Sequence, residues 1–154
     1  MSDTDTFSIP IPTDDDGYVL LQCEHCGELF KCTPSDLESD EVLNIYCPNC
    51  GLISDNYITD DVMELAQVMV ANYAQEQIYN AFKDMERHNS RNSFLKFKAG
   101  SKPKPEYEPP IYSSVDALET TEFDCCHRSA KINSLLKMSA SHCPFCGGVR
   151  FENN

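Results

Sequence analysis

Cys23-Glu24-His25-Cys26 and, after an interval of twenty residues, Cys47-Pro48-Asn49-Cys50 decide the fold of this 154-residue chain. A pair of Cys-x-x-Cys turns at such a distance can close a tetrahedral thiolate site around zinc. Gly27 and Gly51 each follow the second cysteine of a turn, where glycine permits the positive φ that a tight turn needs. The predicted zinc ligands are Cys23, Cys26, Cys47 and Cys50, with iron as a chemically possible competitor.

A second cysteine cluster lies near the C-terminus and is less regular. Cys143-Pro144-Phe145-Cys146 has the same spacing, but the stretch before it reads Phe-Asp-Cys-Cys-His-Arg over residues 123–128. Aligning Cys125 with Cys23 and shortening the turn by one residue puts His127 at the second ligand position. The predicted ligands of a second zinc ion are therefore Cys125, His127, Cys143 and Cys146. Cys126 in place of one of the first two is the competing assignment.

Short apolar stretches surround the first two cysteine turns. Residues 18–22 and 29–32 predict two strands of a hairpin, and residues 43–46 lead into the second turn. This order of strand, turn, strand, loop, strand and turn is that of a zinc ribbon. Residues 121–124 resemble the approach strand of the first ribbon. Cys32, the ninth cysteine, is expected to be a small buried strand residue.

A long helix is predicted between the two clusters. Thr59 is a candidate N-cap, and Asp60 and Asp61 lie in the first turn, where the helix dipole favours negative charge. Residues 62–87 contain neither Pro nor Gly, and apolar residues recur at steps of three to five. We expect this apolar face to pack into the core. Residues 94–98 alternate weakly, which favours a short strand.

The predicted fold class is a small, metal-organised α+β protein in which two zinc ribbons of short antiparallel β-structure are joined by a long α-helix and a Pro-rich connector. Two ribbons of this size bury little surface, so metal would supply part of their folding free energy. The predicted segments are a flexible acidic arm (1–16), the first ribbon (17–58), the helix (59–90), the basic and Pro-rich connector (91–112) and the second ribbon (113–154).

The net charge of −13 is unevenly distributed. Residues 1–82 hold sixteen acidic residues and one basic residue, Lys31, whereas residues 83–104 hold seven basic residues against two acidic ones. The acidic half repels phosphate backbones and attracts a basic protein face. The chain has no apolar run of membrane-spanning length, and its acidic N-terminus is unlike a signal peptide. A cytoplasmic, reducing location is therefore expected, which favours metal thiolates over disulfides.

Residues 47–61, CPNCGLISDNYITDD, resemble the second half of the zinc ribbon in transcription initiation factors of the TFIIB type. That ribbon tends to read Cys-Pro-x-Cys-Gly-Leu-Val, followed by a short charged turn and an Ile-Asp step. The resemblance is close over these residues and extends at most over the first ribbon. Here the interval between the cysteine turns is longer, and a long helix follows in place of a linker and cyclin-like repeats. The resemblance implies the fold rather than recruitment of a polymerase.

No motif of an enzyme is visible, since HExxH, P-loop, GxSxG and deaminase signatures are all missing from the sequence. The favoured function is a zinc-binding adaptor that docks a larger protein, with a basic face, through its ribbons and acidic surface. The alternative is a nucleic-acid-binding or transcription-related protein that uses the basic segment 83–104, with Phe94, Phe97 and Tyr107 as stacking residues.

Overall fold

A computed structural model of the chain describes residues 5–89, 94, 96–112, 115 and 117–151. It is a small α+β protein with antiparallel strands and one long helix. Its elements are β1 (Val19–Gln22), β2 (Leu29–Cys32), α1 (Pro34–Leu37), α2 (Asp60–Asn89), β3 (Leu118–Phe123), β4 (Arg128–Asn133), α3 (Ser134–Lys137), β5 (Ala140–His142) and β6 (Val149–Phe151). The chain divides into two compact units, Met1–Val62 with Ile111–Asn154, and Met63–Pro110.

The first unit is built on a four-stranded antiparallel sheet with the strand order β1-β2-β4-β3. The β1–β2 hairpin forms at the positions that the sequence predicts, with Leu21 opposite Phe30. The β3–β4 hairpin places Thr121 opposite Ala130. The inner strands β2 and β4 join the two hairpins at Lys31 and Lys131. The two cysteine-bearing hairpins therefore share one sheet, in a single compact unit.

The two hairpins of this unit, and the short helix that follows each, repeat the same local structure at an interval of 100 residues. Helix α1 begins after the N-cap Thr33, and α3 begins after the N-cap Asn133. Lys31 and Lys131 are equivalent by the same interval, and they are also the residues that pair across the sheet. Antiparallel pairing of equivalent residues places a local twofold axis between them, as at an isologous interface.

One hydrophobic core serves both hairpins. Its largest fully buried side chains are Phe30, Phe123 and Ile132, and it also includes Leu21, Cys32, Ala130, Cys143 and Phe145. Tyr57 packs edge-on against Phe30 with the ring centroids 5.7 Å apart. Because side chains from both hairpins fill the same core, neither hairpin has to bury an apolar surface of its own.

Asp14 is bound at the axis between the halves. One of its carboxylate oxygens accepts hydrogen bonds from Lys31 Nζ at 2.9 Å and from Lys131 Nζ at 2.8 Å. The Lys31 side chain is buried, and Lys131 also donates to Asp16 at 2.6 Å. The end of the segment that we predicted to be a flexible acidic arm is thus held in the folded unit, because its carboxylates neutralise two lysines of the inner strands.

The pKa of Asp14 follows from this environment. Burial alone would raise it, but hydrogen bonds from Lys131, from the backbone of Tyr18 and from Lys31 outweigh burial. They hold the pKa of this carboxyl well below its usual range. The ionised form is therefore favoured more strongly in the folded chain than in the unfolded chain.

Helix α2 starts with Asp60 and Asp61 in its first turn, as predicted, and the Thr59 hydroxyl donates a hydrogen bond to the Asp61 carboxylate. Val62 is the one buried residue among the thirty of this helix. The expected packing of its apolar face into the core is thus not what the structure shows. Residues 96–98 form no strand either, while Leu95 of the predicted strand 94–98 lies outside the described residues.

The second unit, Met63–Pro110, holds the connector against the helix. Asn72 and Glu106 exchange two hydrogen bonds, of 2.7 and 3.0 Å, between the Asn72 amide and the Glu106 backbone. Lys102 forms an ion pair with Glu76 at 3.0 Å. Contact between Phe82 and Phe97, with centroids 5.7 Å apart, completes the packing.

Replacing Asp14 by alanine is expected to lower the free energy of unfolding by about 2 to 3 kcal/mol, because two lysines of the inner strands lose their shared carboxylate. Urea unfolding measures this change. Asp15→Ala is the matched control, since Asp15 is exposed, and it should change stability by less than about 0.5 kcal/mol. Equal stability of the two variants would contradict a structural role for Asp14.

The contribution of Asp14 should also depend on pH. Because its pKa is lowered on folding, its contribution is fully present above the ordinary pKa of about 4 and is lost as the pH falls through the lower folded value. The stability difference between the wild type and Asp14→Asn should therefore shrink below about pH 4. Unfolding curves at a series of pH values test this, and a difference that grows in acid would contradict it.

Candidate metal centres

The first thiol group consists of Cys23, Cys26, Cys47 and Cys50, whose Sγ atoms all lie within 4.8 Å of one another. Two of these cysteines lie in the turn of the β1–β2 hairpin, and the other two lie in a turn bridged by Tyr46 and Ile53. The Cys23–Cys50 and Cys26–Cys47 sulfur distances are 3.7 and 3.6 Å. The structure therefore brings together the four residues that the sequence predicts for the first site.

Backbone hydrogen bonds set the shape of both turns. The Gly27 amide donates to the Cys23 carbonyl at 2.8 Å, and the Gly51 amide donates to the Cys47 carbonyl at 2.9 Å. Gly27 and Gly51 have φ values of 76° and 70°, which are costly for residues with a Cβ atom. Both glycines therefore have the positive φ that the sequence predicts for the tight turns.

The second thiol group consists of Cys125, Cys126, Cys143 and Cys146, also within 4.8 Å of one another. The Cys126 and Cys143 sulfurs lie 3.6 Å apart. The turn that carries Cys143 and Cys146 repeats the geometry of the first group, since the Gly147 amide donates to the Cys143 carbonyl at 2.8 Å and Gly147 has a φ of 73°.

His127 is not part of this group, which corrects the predicted ligand set. Its side chain is exposed, with Nδ1 3.8 Å from a carboxylate oxygen of Glu122. The His127 amide donates to the Phe123 carbonyl at 2.8 Å, and its φ is 55°. His127 therefore occupies the place that Gly27 has in the first hairpin, and Cys126 occupies the place of Cys26.

The prediction aligns Cys125 with Cys23, whereas strand register makes Phe123 the counterpart of Cys23. The thiol that corresponds to Cys23 is therefore Cys125, two residues further along the turn than the register alone would place it. The 100-residue interval between Lys31 and Lys131 is the signal that would have identified Cys126.

The donor geometry fits a tetrahedral metal ion. Four sulfurs at about 2.3 Å from zinc lie about 3.8 Å from one another, close to the sulfur distances of 3.6 and 3.7 Å observed here. Four thiolates suit zinc, while iron also takes such a set. The structure thus contains two four-cysteine groups, each suited to one metal ion.

The thiols of each group differ in acidity in the same way. Burial raises the pKa of Cys47 and of Cys143. Burial also opposes ionisation of Cys26 and Cys126, but hydrogen bonds from backbone amides and from neighbouring thiols outweigh it and lower the pKa of both. Each group therefore contains one cysteine whose pKa is lowered and two whose pKa is raised, and the positive charge of a divalent metal would favour the thiolate forms of the latter two.

Two residues beside the first thiol group do not belong to it. Cys32 is fully buried on β2, as expected, and burial raises the pKa of its thiol. His25 is exposed, and its Nε2 lies 3.1 Å from the Ile53 carbonyl oxygen. All nine cysteines are free thiols.

The chain matches no family model, no curated protein and no solved structure. The local resemblance to the TFIIB type therefore gains no support from these comparisons, and the two four-cysteine groups compatible with zinc ribbons are the part that stands. Among the described residues, no helix is long and apolar enough to cross a membrane.

Cys126→Ser and His127→Gly should separate the two assignments of the second group. Cys126→Ser is expected to lose the C-terminal metal ion. His127→Gly should keep it and stabilise the fold by up to about 1 kcal/mol, because glycine adopts a positive φ without strain. Metal content by mass spectrometry, together with urea unfolding, measures both effects. Loss of metal in His127→Gly alone would restore the original assignment.

Cys47→Ser is expected to lower the midpoint of thermal unfolding more than Cys32→Ser. The first variant removes a metal ligand, whereas the second leaves a buried hydroxyl at a cost of about 1–3 kcal/mol. Both variants are melted with zinc and with a chelator. With chelator, the difference between wild type and Cys47→Ser should shrink, and an unchanged difference would show that Cys47 acts by packing alone.

Proposed function

We propose that the chain is a zinc-ribbon protein whose two thiol groups each hold a structural zinc ion. The observation that supports this is the pair of four-cysteine groups, each formed by two tight turns with sulfurs spaced for tetrahedral binding. Zinc would link the two turns of each group, so part of its binding free energy would become folding free energy.

We propose further that the chain docks a larger protein and performs no turnover of its own. Four thiolates fill a tetrahedral metal site, whereas a catalytic zinc keeps one position open for water or substrate. What the chain offers a partner is therefore surface. The proposed location is the cytoplasm, where thiols stay reduced.

Helix α2, most of which lies in the second unit, supplies an apolar docking surface. Val70 and Ile78 are 53% and 56% exposed, and Met85 is exposed as well. Val62 is the one buried residue of this helix, so these exposed apolar side chains are left without full cover. A helix with exposed apolar side chains can dock into a hydrophobic groove on another protein.

Acidic residues of the first unit are a separate, charged feature of the chain. Asp14 and Asp16 bind Lys31 and Lys131, so they contribute little to an external partner. Other carboxylates of the acidic half, among them Glu24 and Asp40, are exposed. A partner with a basic face would be attracted by these groups, and the attraction would fade above about 0.15 M salt, where the Debye length is about 8 Å.

Nucleic-acid binding is the second candidate because Phe94 and Tyr107 are highly exposed beside basic residues. Other members of the basic segment are engaged within the chain. Lys83 pairs with Glu86 at 3.2 Å, and Lys102 pairs with Glu76. These ion pairs, and the contact between Phe97 and Phe82, favour the docking role over the nucleic-acid role.

Replacing Val70 and Ile78 by serine is expected to remove the captured partner while leaving metal content and folding unchanged. The measurement is capture from native lysate by the immobilised full chain, with bound proteins identified by mass spectrometry. Leu43→Ser is the matched control, because Leu43 is 86% exposed but lies outside the helix. Capture of the same proteins by the wild type, by the variant with Val70 and Ile78 replaced, and by Leu43→Ser would contradict docking through α2.

Binding to a labelled single-stranded oligonucleotide at 0.15 M salt tests the second candidate. The docking role predicts no binding at micromolar protein. Micromolar binding that Lys96→Glu and Lys98→Glu abolish would show that the basic segment is the functional surface.

A further inference from the structure

The second turn of each thiol group contacts the second turn of the other group. The Tyr46 amide donates to the Pro144 carbonyl at 2.8 Å, and the His142 amide donates to the Pro48 carbonyl at 2.9 Å. Tyr46 immediately precedes Cys47, and His142 immediately precedes Cys143. The two hydrogen bonds join equivalent atoms and are related by the local twofold axis. Pro48 and Pro144 are both fully buried.

The rings of the same two residues, Tyr46 and His142, also pack against the opposite turn. A Cβ atom added to Gly147 would lie 2.8 Å from the Tyr46 ring, so this ring lies directly against the glycine of the opposite turn. A Cβ atom added to Gly51 would lie 2.7 Å from the His142 ring. Each aromatic side chain thus covers the glycine that ends the cysteine turn of the other group.

These glycines are part of the sites themselves. The Gly51 and Gly147 amides donate the hydrogen bonds that close the turns around Cys47 and Cys143. A ring held against each glycine limits how the turn can open. Outer groups that hydrogen-bond to ligands affect metal affinity by about 10- to 100-fold, and the two glycine amides hydrogen-bond to ligand carbonyls.

We propose that Tyr46 positions the second thiol group and His142 positions the first, so that metal binding at the two groups is coupled. This inference rests on the metal binding proposed above. Tyr46 and His142 each lie next to a turn that metal would order. Metal bound at one group therefore also fixes the ring that packs against the turn of the other group. Each group should then bind metal more tightly when the other is already loaded.

Tyr46→Ala distinguishes this cross-support from an ordinary local effect. Tyr46 is next to Cys47, so a local effect would weaken the first group. The proposal predicts instead that the second group loses affinity by about 10-fold or more while the first changes less than about threefold. Tyr46→Phe keeps the ring and should behave as wild type. Ile53→Ala, which truncates the bridge partner of Tyr46, should not weaken the second group selectively.

Affinity can be read for each group separately. The full chain is loaded with cadmium-113, whose two sites give separate NMR signals, and each signal is followed during titration with a chelator. Alkylation of Cys50 and Cys146 peptides, quantified by mass spectrometry, assigns each signal to a group. His142→Ala should give the reciprocal result, with the first group weakened. Loss at the adjacent group, or equal loss at both, would overturn the proposal.

Coupling itself is tested by adding one equivalent of cadmium to metal-free wild type and counting bound ions by native mass spectrometry. Coupled sites give mainly metal-free and doubly loaded chains, whereas independent sites leave about half of the chains or more singly loaded, which would overturn the proposal. If Tyr46→Ala does not fold, Tyr46→Leu is measured in the same way. A wild type that binds no metal contradicts the proposed function, whereas two ions held without cross-effects contradict only this inference.

Discussion

The antiparallel contact between β2 and β4 determines how the first unit is assembled. Lys31 and Lys131 face each other at this contact, and Asp14 accepts hydrogen bonds from both. Without the carboxylate, two ammonium groups would lie side by side with little water around them, which is costly. With it, the inner strands can approach, and the hairpins bury their apolar faces in one core. The cysteine turns at the ends of these hairpins are then fixed relative to one another.

Much of the local structure followed from the sequence because it depends on neighbouring residues. Cys-x-x-Cys spacing with a following glycine predicted the four thiols of the first group, and the acidic start of α2 was correct. The shared sheet was not predictable in this way, since β2 and β4 are far apart in the chain and neither strand alone signals its partner. The sequence did not predict the exposure of α2, because apolar periodicity identifies an apolar face of a helix but not what packs against that face.

The second thiol group shows where spacing alone fails. Cys125 and Cys126 are adjacent, so counting residues cannot decide which of them matches a ligand of the first hairpin. The backbone decides it, since the amide of residue 127 closes the turn onto Phe123 as the amide of Gly27 closes onto Cys23. His127 therefore has a positive φ, which is typical of glycine, next to the ligands. Its residue type alone had suggested that it was a ligand itself.

The two halves of the first unit sit on one chain, separated in sequence by residues 63–110. On separate chains, their pairing would be bimolecular and would depend on protein concentration. Covalent linkage replaces that dependence by an effective local concentration that does not change on dilution. A symmetric contact that would need abundant protein to form between free halves can therefore form within a single, scarce molecule.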